Sequence, residues 1–438
     1  EPMNDSPTST FRAFARGVLV LLVFLALVQE LAHAAGPNEA SLIPLSSPAP
    51  ENSQLSRLTR DEDGNVYLSW VAEEDDVAQL QYARLQGEQW SEPVTISQGS
   101  DWFVNWADFP VLSVAGDAMV AHWLVRSGSG TYDYDVRARF YDPSVASWTP
   151  TVLVNSDGVG AEHGFVSMLP VDGATLVAWL DGRNTRREPV PGPMSLRAAL
   201  FDQSGGRVEE WELDERVCDC CQTAAAMTEQ GPVVVYRDRS PEEIRDIAIV
   251  RLVDGQWLQP GIVSPDNWRV QGCPVNGPAV SASGNRVAVA WFSAKHEAPR
   301  VQLALSLDSG ATFAAPIPVA GANTNGRVDV AMLHSGEIVV SWMESSGSTA
   351  QEARVMLSRF AADGTFLDEM EVAPTSASRR SGFPTIDSVG NEVFVAWTDV
   401  EAAPRVRVAR VDYGQEPQAR RGGPLKQLSG QAIEDLGR

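Results

Sequence analysis

The four cysteines of this 438-residue chain lie in two short segments, where thiols can form disulfides, bind a soft metal ion or carry out redox chemistry. Three of them stand in the run Cys218-Asp219-Cys220-Cys221, and the fourth is Cys273. An even number of cysteines in an oxidising compartment favours disulfides. Because a bond between the adjacent Cys220 and Cys221 would close a strained ring, we predict the pairs Cys218–Cys221 and Cys220–Cys273.

The same cysteines allow two other kinds of site, and the sequence leaves both open. Cys218 and Cys221 have a spacing found in metal sites, and with Cys273 and His163 they would form a four-ligand site for copper or zinc. His296 is the other candidate for the fourth ligand. A redox-active thiol pair at Cys218 and Cys221 is the remaining alternative. The disulfide alternative requires no cofactor.

Arginines are the second group with chemical potential, because several are concentrated in a few segments of an acidic chain. A guanidinium group binds a carboxylate or sulfate through paired hydrogen bonds, so such a cluster could recognise an anionic ligand. The alternative is that these arginines pair with the acidic residues that stand between them. The candidate ligand-binding residues are Arg183, Arg237, Asp238, Arg239, Arg245, Arg379 and Arg380.

A sequence unit that occurs seven times must position these segments. Each copy has a turn, four or five apolar residues and an aromatic residue, with a shorter strand before it and an alternating strand after it. The aromatic residues recur every 51 to 57 positions and are Trp70, Trp123, Trp179, Tyr236, Trp291, Trp342 and Trp397. Four antiparallel strands per repeat are typical of a propeller blade. We therefore predict an all-β fold, a seven-bladed β-propeller over residues 38–412.

The seventh copy lacks a fourth strand, and the segment at residues 40–46 resembles the missing one. Pairing of this segment with residues 405–410 would close the ring and remove two exposed sheet edges. The closing residues 413–438 have no strand pattern and are predicted to form a flexible tail.

The segment Ser306-Leu307-Asp308-Ser309-Gly310-Ala311-Thr312-Phe313 resembles the Asp-box, or BNR repeat, of sialidase-like β-propellers, and residues 253–257 and 362–366 are degenerate copies. The resemblance implies a propeller that acts on glycans, with six blades as the alternative count. It also raises the possibility of an exo-alpha-sialidase-like glycosidase. The late-blade tyrosine of that family is missing, because no tyrosine lies between 237 and 412, and its early Arg-Ile-Pro signature is absent.

In a propeller, the loops between blades and the loops between second and third strands share one face, and the cysteine and arginine segments fall there. Acids near this face could perform glycoside hydrolysis, and they are Asp75, Asp76, Asp108, Glu162, Asp219 and Glu297. We predict recognition of a glycan or small anionic ligand at this face, with glycoside hydrolysis possible. The alternatives are a metal-binding or redox-active propeller and a protein-binding scaffold.

Residues 1–34 have the pattern of a cleaved signal peptide: two arginines, an apolar run at 18–28 and a small-residue cleavage site at 32–34. We therefore expect a periplasmic or secreted protein with no membrane span in the mature chain. The formal net charge of −23 argues against nucleic-acid binding, because such a surface repels phosphates. We expect a monomer.

Overall fold

The computed structural model describes residues 40–346, 351–400 and 403–414. The predicted signal peptide and nearly all of the predicted tail therefore lie outside the described residues. Three short 3-10 turns accompany the strands, at Arg183–Arg186, Lys295–Glu297 and Arg379–Ser381.

The strands are β1 (Ser41–Leu45), β2 (Ser53–Arg60), β3 (Val66–Glu74), β4 (Val77–Gln86), β5 (Gln89–Trp90), β6 (Val94–Gly99), β7 (Leu112–Ala115), β8 (Ala118–Arg126), β9 (Tyr134–Asp142), β10 (Ser147–Trp148), β11 (Val152–Leu153), β12 (His163–Val171), β13 (Ala174–Asp181), β14 (Ser195–Phe201), β15 (Arg207–Asp214), β16 (Ala224–Thr228), β17 (Gly231–Arg237), β18 (Ile247–Val253), β19 (Gln256–Trp257), β20 (Gly261–Ser264), β21 (Ala279–Ser283), β22 (Arg286–Ser293), β23 (Arg300–Ser306), β24 (Ile317–Ala320), β25 (Thr324–Met332), β26 (Ile338–Ser345), β27 (Glu352–Phe360), β28 (Phe366–Ser376), β29 (Thr385–Val389), β30 (Glu392–Asp399) and β31 (Arg405–Asp412).

These strands form seven antiparallel sheets, which are the blades of a propeller. In chain order, blade 1 contains β2–β6, blade 2 β7–β11, blade 3 β12–β15, blade 4 β16–β20, blade 5 β21–β24, blade 6 β25–β28 and blade 7 β29–β31. In blades 1, 2 and 4 the outer strand is divided into two short pieces. The seven-bladed prediction is confirmed, and the six-bladed alternative is excluded.

Each blade contains one of the seven predicted aromatic residues, always in its second strand. These strands are apolar because they are covered on both faces, and the indole rings of Trp70 and Trp179 are fully buried between neighbouring blades. Their polar N–H groups have partners: Trp70 donates to Gln81 at 3.1 Å and Trp179 to Asp181 at 2.8 Å. The repeated aromatic therefore supplies buried area to the core without leaving these two N–H groups unsatisfied.

The ring closes through a strand from the start of the described chain. Strand β1 pairs with β31 and is the outer strand of blade 7, as the sequence predicted. The next segment reinforces the junction: Ser53 donates its backbone N–H to Pro404, and its hydroxyl accepts from the N–H of Val406, both at 3.0 Å. Closure leaves blade 7 with four strands and no unpaired third strand.

The first strands of the blades line the central channel. A cavity of about 770 Å³ lies within it, with Leu112, Met168 and Val280 among its walls. The ion pair between Arg60 and Asp387, at 3.0 Å, stands at the end where first strands turn into second strands. Among residues 40–346, 351–400 and 403–414, no helix has the length and apolar character needed to cross a membrane.

Candidate functional site

The loops between blades and the loops between second and third strands lie together, and we call this surface the loop face. The amide of Gln222 connects three of its loops, because its N–H group donates to Ala107 at 2.7 Å and its oxygen accepts from Gly277 at 2.8 Å. These bonds join the entries to blades 2, 4 and 5 across the channel. Such cross-links give the loop face a defined geometry.

The cysteine loops meet on this face. Cys220 and Cys273 form a disulfide with Cα atoms 5.9 Å apart, so this predicted pair is present. The other predicted pair is not, because Cys218 and Cys221 are separate buried thiols. Cys218 instead accepts a hydrogen bond from Arg245 at 3.2 Å. Burial raises the pKa of Cys218, but hydrogen bonds from Cys221 and the Cys220 N–H, together with nearby arginine charges, outweigh it and lower the pKa to about 7.

The predicted four-ligand metal site is not assembled. The sulfur of Cys273 is bonded to Cys220, and His163 lies in a different cluster, where its Nε2 is 2.9 Å from Asp157 and 3.7 Å from Asp181. Burial lowers the pKa of His163, but the bond to Asp157 and the two carboxylate charges raise it overall.

The oxygens of Asp181 are also occupied by neighbouring donors. Both receive bonds from Arg183, at 2.8 and 2.7 Å, and one also accepts from Trp179. This His–Asp cluster is consequently a buried ion-pair network that ties Arg183 to blade 3.

Most of the candidate arginines are engaged within the protein. Arg239 bonds both Asp219 and Glu243, and Arg245 bonds Glu243 at 2.8 Å. Arg237 is 2% exposed and donates to three backbone carbonyls, those of Asn276, Arg245 and Phe292. Pairing with nearby acidic residues, which the sequence analysis gave as the alternative, is therefore present for Arg183, Arg239 and Arg245. Ligand binding by the candidate residues remains a prediction.

Asp238 and the two arginines of the blade 7 entry complete the predicted set. Burial raises the pKa of Asp238 to about 6. Arg379 and Arg380 are exposed, and neither forms an ion pair with another residue in the part of the chain that the structure describes. Arg380 borders a cleft of about 450 Å³ that Asp75 and Asp76 also line. These two arginines are the ones that remain available to an external anion.

Two of the six predicted acids converge on a tyrosine. The hydroxyl of Tyr134, at the start of β9, lies 2.9 Å from Asp108 and 3.0 Å from Glu162. Asp108 also accepts the N–H of Phe165 at 2.6 Å. Gly164 permits this approach, because a Cβ atom there would lie 2.0 Å from the Asp108 carboxylate.

The three groups share protons. A phenol has one hydrogen to donate, so with two carboxyl groups in contact one of them must carry a proton and donate to the phenol oxygen. Burial is the main cause that raises the pKa of Asp108 to about 7 and that of Glu162 to about 8. The charge of Asp219 adds to the shift at Glu162. Tyr134 and Asp108 are 1% exposed, whereas Glu162 is only half-buried and reaches the surface.

An aromatic and cationic surface adjoins Asp108 along the chain. The half-buried ring of Trp106 stacks on Phe383 with centroids 5.8 Å apart, and the guanidinium of Arg379 lies 5.9 Å from the Trp106 ring. Below them, the buried Arg327 donates to the carbonyls of the turn that carries Arg379. Burial lowers the pKa of Arg327 to about 10.

Sequence reasoning placed Asp108, Glu162 and Asp219 on this face but missed Tyr134, which is the shared partner of Asp108 and Glu162. The available signal was its position, directly after a loop between second and third strands. Glu297 is exposed and is not part of the cluster. The sequence pattern could not show which acids converge, because the contacts cross three separate loops.

No protein-family model matches the chain, and no curated protein matches it. Among solved structures, the polysaccharide lyase Uly1 is similar over 87% of this chain and 93% of its own, with 10% identity and a TM-score of 0.50. A neuraminidase-like protein from a little yellow-shouldered bat isolate matches over 85% and 97%, with 11% identity and a TM-score of 0.42. A prolyl endopeptidase has 13% identity and a TM-score of 0.46 over 82% of this chain, which spans only 46% of the endopeptidase. At these identities the similarity shows the propeller fold alone.

Proposed function

We propose that the loop face cleaves a glycosidic bond of an anionic glycan, with Glu162 as the proton donor. The observation that carries the proposal is the Tyr134 hydroxyl held between Asp108 and Glu162. A carboxylic acid that stays protonated near neutral pH and reaches solvent has the property required of a general acid. Perturbed acids on a propeller face are also the feature expected of a functional site.

The cluster can support proton donation through its hydrogen bonds. As the bond between the sugar carbon and the departing oxygen breaks, the Glu162 proton transfers to that oxygen. The Tyr134 hydroxyl then donates to the new Glu162 carboxylate, and protonated Asp108 donates to the phenol oxygen. The two buried groups thereby stabilise the negative charge that appears on Glu162.

The attack of water on the sugar carbon requires a base that accepts a proton from the water. Asp219 lies in the neighbouring inter-blade loop, is partly exposed, and is close enough for its charge to raise the pKa of Glu162. It would accept a proton from the water that attacks the sugar carbon. Two separated carboxyl groups with these opposite roles are the arrangement of an inverting hydrolase.

Recognition of an anionic glycan is assigned to Arg379 and Trp106. The exposed Arg379 can form paired hydrogen bonds with a carboxylate or sulfate, and the Trp106 ring offers an apolar face to a sugar. The buried Asp108, which bonds Tyr134 in the acid cluster, stands two residues beyond Trp106, so one loop connects the recognition residues to the acid cluster.

The test is activity on a panel of uronate-containing, sulfated and sialylated glycans, followed by product detection. Glu162→Gln should lower the rate at least 100-fold on the substrate that is cleaved, because general acid catalysis contributes roughly that factor or more. Asp117→Asn, an exposed acid on the opposite face, is the matched control and should retain the wild-type rate. An equal rate for Glu162→Gln and wild type on a cleaved glycan would overturn the assignment.

A second pair of variants tests recognition. Arg379→Ala should raise KM with a smaller effect on kcat, whereas Arg187→Ala, another exposed arginine on the loop face, should not. An unsaturated product would show elimination rather than hydrolysis and would refute the role of Asp219 as the base for water.

A further inference from the structure

The four cysteine residues differ in exposure although they lie together. The sulfurs of Cys218, Cys220 and Cys221 are all within 4.8 Å of one another. Cys218 and Cys221 are 0% and 1% exposed, Cys220 is half-buried, and Cys273 is exposed. A buried dithiol thus lies next to a disulfide that connects the half-buried Cys220 to the exposed residue Cys273.

We propose that this cluster is a thiol–disulfide exchange site, in which the bond moves from Cys220–Cys273 to Cys218–Cys221 and presents Cys273 as a surface thiol to external disulfides. The proposal does not depend on the glycan activity. Its basis is the proximity of the sulfurs of Cys218, Cys220 and Cys221 and the exposure of the residue Cys273.

The exchange balances without an added oxidant. The Cys218 thiolate attacks the sulfur of Cys220, so the Cys218–Cys220 bond forms, the Cys220–Cys273 bond breaks, and Cys273 leaves as a thiolate. Burial raises the pKa of Cys221, so this thiol loses its proton only as it reacts. It then attacks Cys218, forming Cys218–Cys221 and releasing Cys220. The protons lost by Cys218 and Cys221 are taken up by Cys220 and Cys273, and the number of disulfides is unchanged.

The surroundings favour the first step. Arg245 donates to the Cys218 sulfur at 3.2 Å, and the charge of the buried Arg237 also acts on it, so both guanidinium groups stabilise the attacking thiolate. The leaving group belongs to Cys273, an exposed residue, so its thiolate can move into water once the bond to Cys220 is broken. The nucleophile is therefore stabilised inside the protein and the leaving group outside it.

In the exchanged form, the Cys273 thiolate can attack an external disulfide of a peptide or small molecule. A mixed disulfide forms at Cys273, and one external thiol is released. The covalent connection between the entries to blades 4 and 5 is lost at the same time, because Cys220 and Cys273 are 53 residues apart and belong to those two loops.

The test is peptide mapping of the native full chain, purified without reductant and treated with iodoacetamide. We expect time-dependent labelling of Cys273, accompanied by a Cys218–Cys221 disulfide. Incubation with oxidised glutathione should give a mixed disulfide at Cys273. Absence of any free thiol after denaturation would overturn the proposal, because all four cysteines would then be oxidised.

Two variants distinguish exchange from simple reduction. Cys218→Ser removes the attacking thiol and should reduce Cys273 labelling at least tenfold. Cys221→Ser permits only the first step, so Cys273 should be labelled and a Cys218–Cys220 bond should be found. Equal labelling of Cys273 in wild type and Cys218→Ser would refute the mechanism. Glu162→Gln should label like wild type, which separates this result from the glycan activity.

Discussion

Replacing Asp108 by Asn should weaken the dependence of the protein's stability on pH near neutrality. The asparagine oxygen can still accept the Phe165 N–H, and its amide can donate to the phenol oxygen, which leaves the Tyr134 hydrogen free for Glu162. Asparagine has nearly the same size and shape as aspartate, so the packing around residue 108 should change little. It removes one of the two carboxyl groups that compete for a single phenol hydrogen.

The magnitude follows from the raised pKa. In the wild type, burial raises the pKa of Asp108 from its ordinary value of 3.8 to about 7, so the folded protein holds a proton that the unfolded chain has released. Stability must therefore fall as pH rises between these two values and level off above the folded pKa. At 1.36 kcal/mol per pKa unit, the loss between about pH 5 and about pH 8 is on the order of 3 kcal/mol.

The assay is urea denaturation followed by tryptophan fluorescence at several pH values. Glu162 and Asp238, whose pKa values are also raised, contribute to the pH dependence of both proteins, so the informative quantity is the difference between them. Over the stated interval wild type should lose about 3 kcal/mol more unfolding free energy than Asp108→Asn. The surface variant Asp117→Asn should follow wild type. Parallel pH profiles for wild type and Asp108→Asn would refute the argument that Asp108 is protonated in the folded protein at neutral pH.

Three further outcomes test the fold. Deletion of residues 40–46 should expose β31 and lower the melting temperature with aggregation, and unchanged light scattering and melting would contradict the closure argument. Arg237→Met should cost about 3 kcal/mol in urea denaturation because buried carbonyls lose their donor, whereas the exposed Arg380→Ala should cost at most about 1 kcal/mol. Burial raises the pKa of Asp308, but its hairpin bonds outweigh this and lower the pKa to about 2. Stability should therefore fall as pH drops from about 4 to about 2, and Asp308→Ala, followed by acid titration of ellipticity, should show a shallower fall.

The repeat pattern predicted more of this structure than the chemistry-bearing residues did. Buried second strands have a local signature of apolar runs ending in an aromatic, so blade number, strand order and the closing segment could be read from spacing. The contact of Cys220 with Cys273 followed because their loops enter consecutive blades. The pairing of Cys218 and Cys221 did not follow: both are buried thiols, and Cys218 accepts a hydrogen bond from Arg245, a contact that residue spacing does not reveal.

The acid cluster could not be predicted from the sequence for a different reason. Asp108 and Glu162 come from two inter-blade loops and Tyr134 from the start of β9, and only the directions of their side chains decide that they meet. The arginines show the same limit, since alternating Arg and Asp residues are compatible with either a ligand site or internal pairing. His163 was assigned to the cysteines by its loop position, but its ring turns toward Asp157 in its own blade entry.

The way the ring closes sets the order in which the molecule can be completed during synthesis. Strand β1 is among the first segments of the propeller to be made, yet its partner β31 is the last strand within the described residues. Until β31 arrives, β1 has no sheet to join, and the growing chain has an open row of blades with unsatisfied edges. Such a large sequence separation slows the final pairing. A circularly permuted chain in which β1 follows β31 directly should therefore fold faster than the natural order while forming the same blade 7.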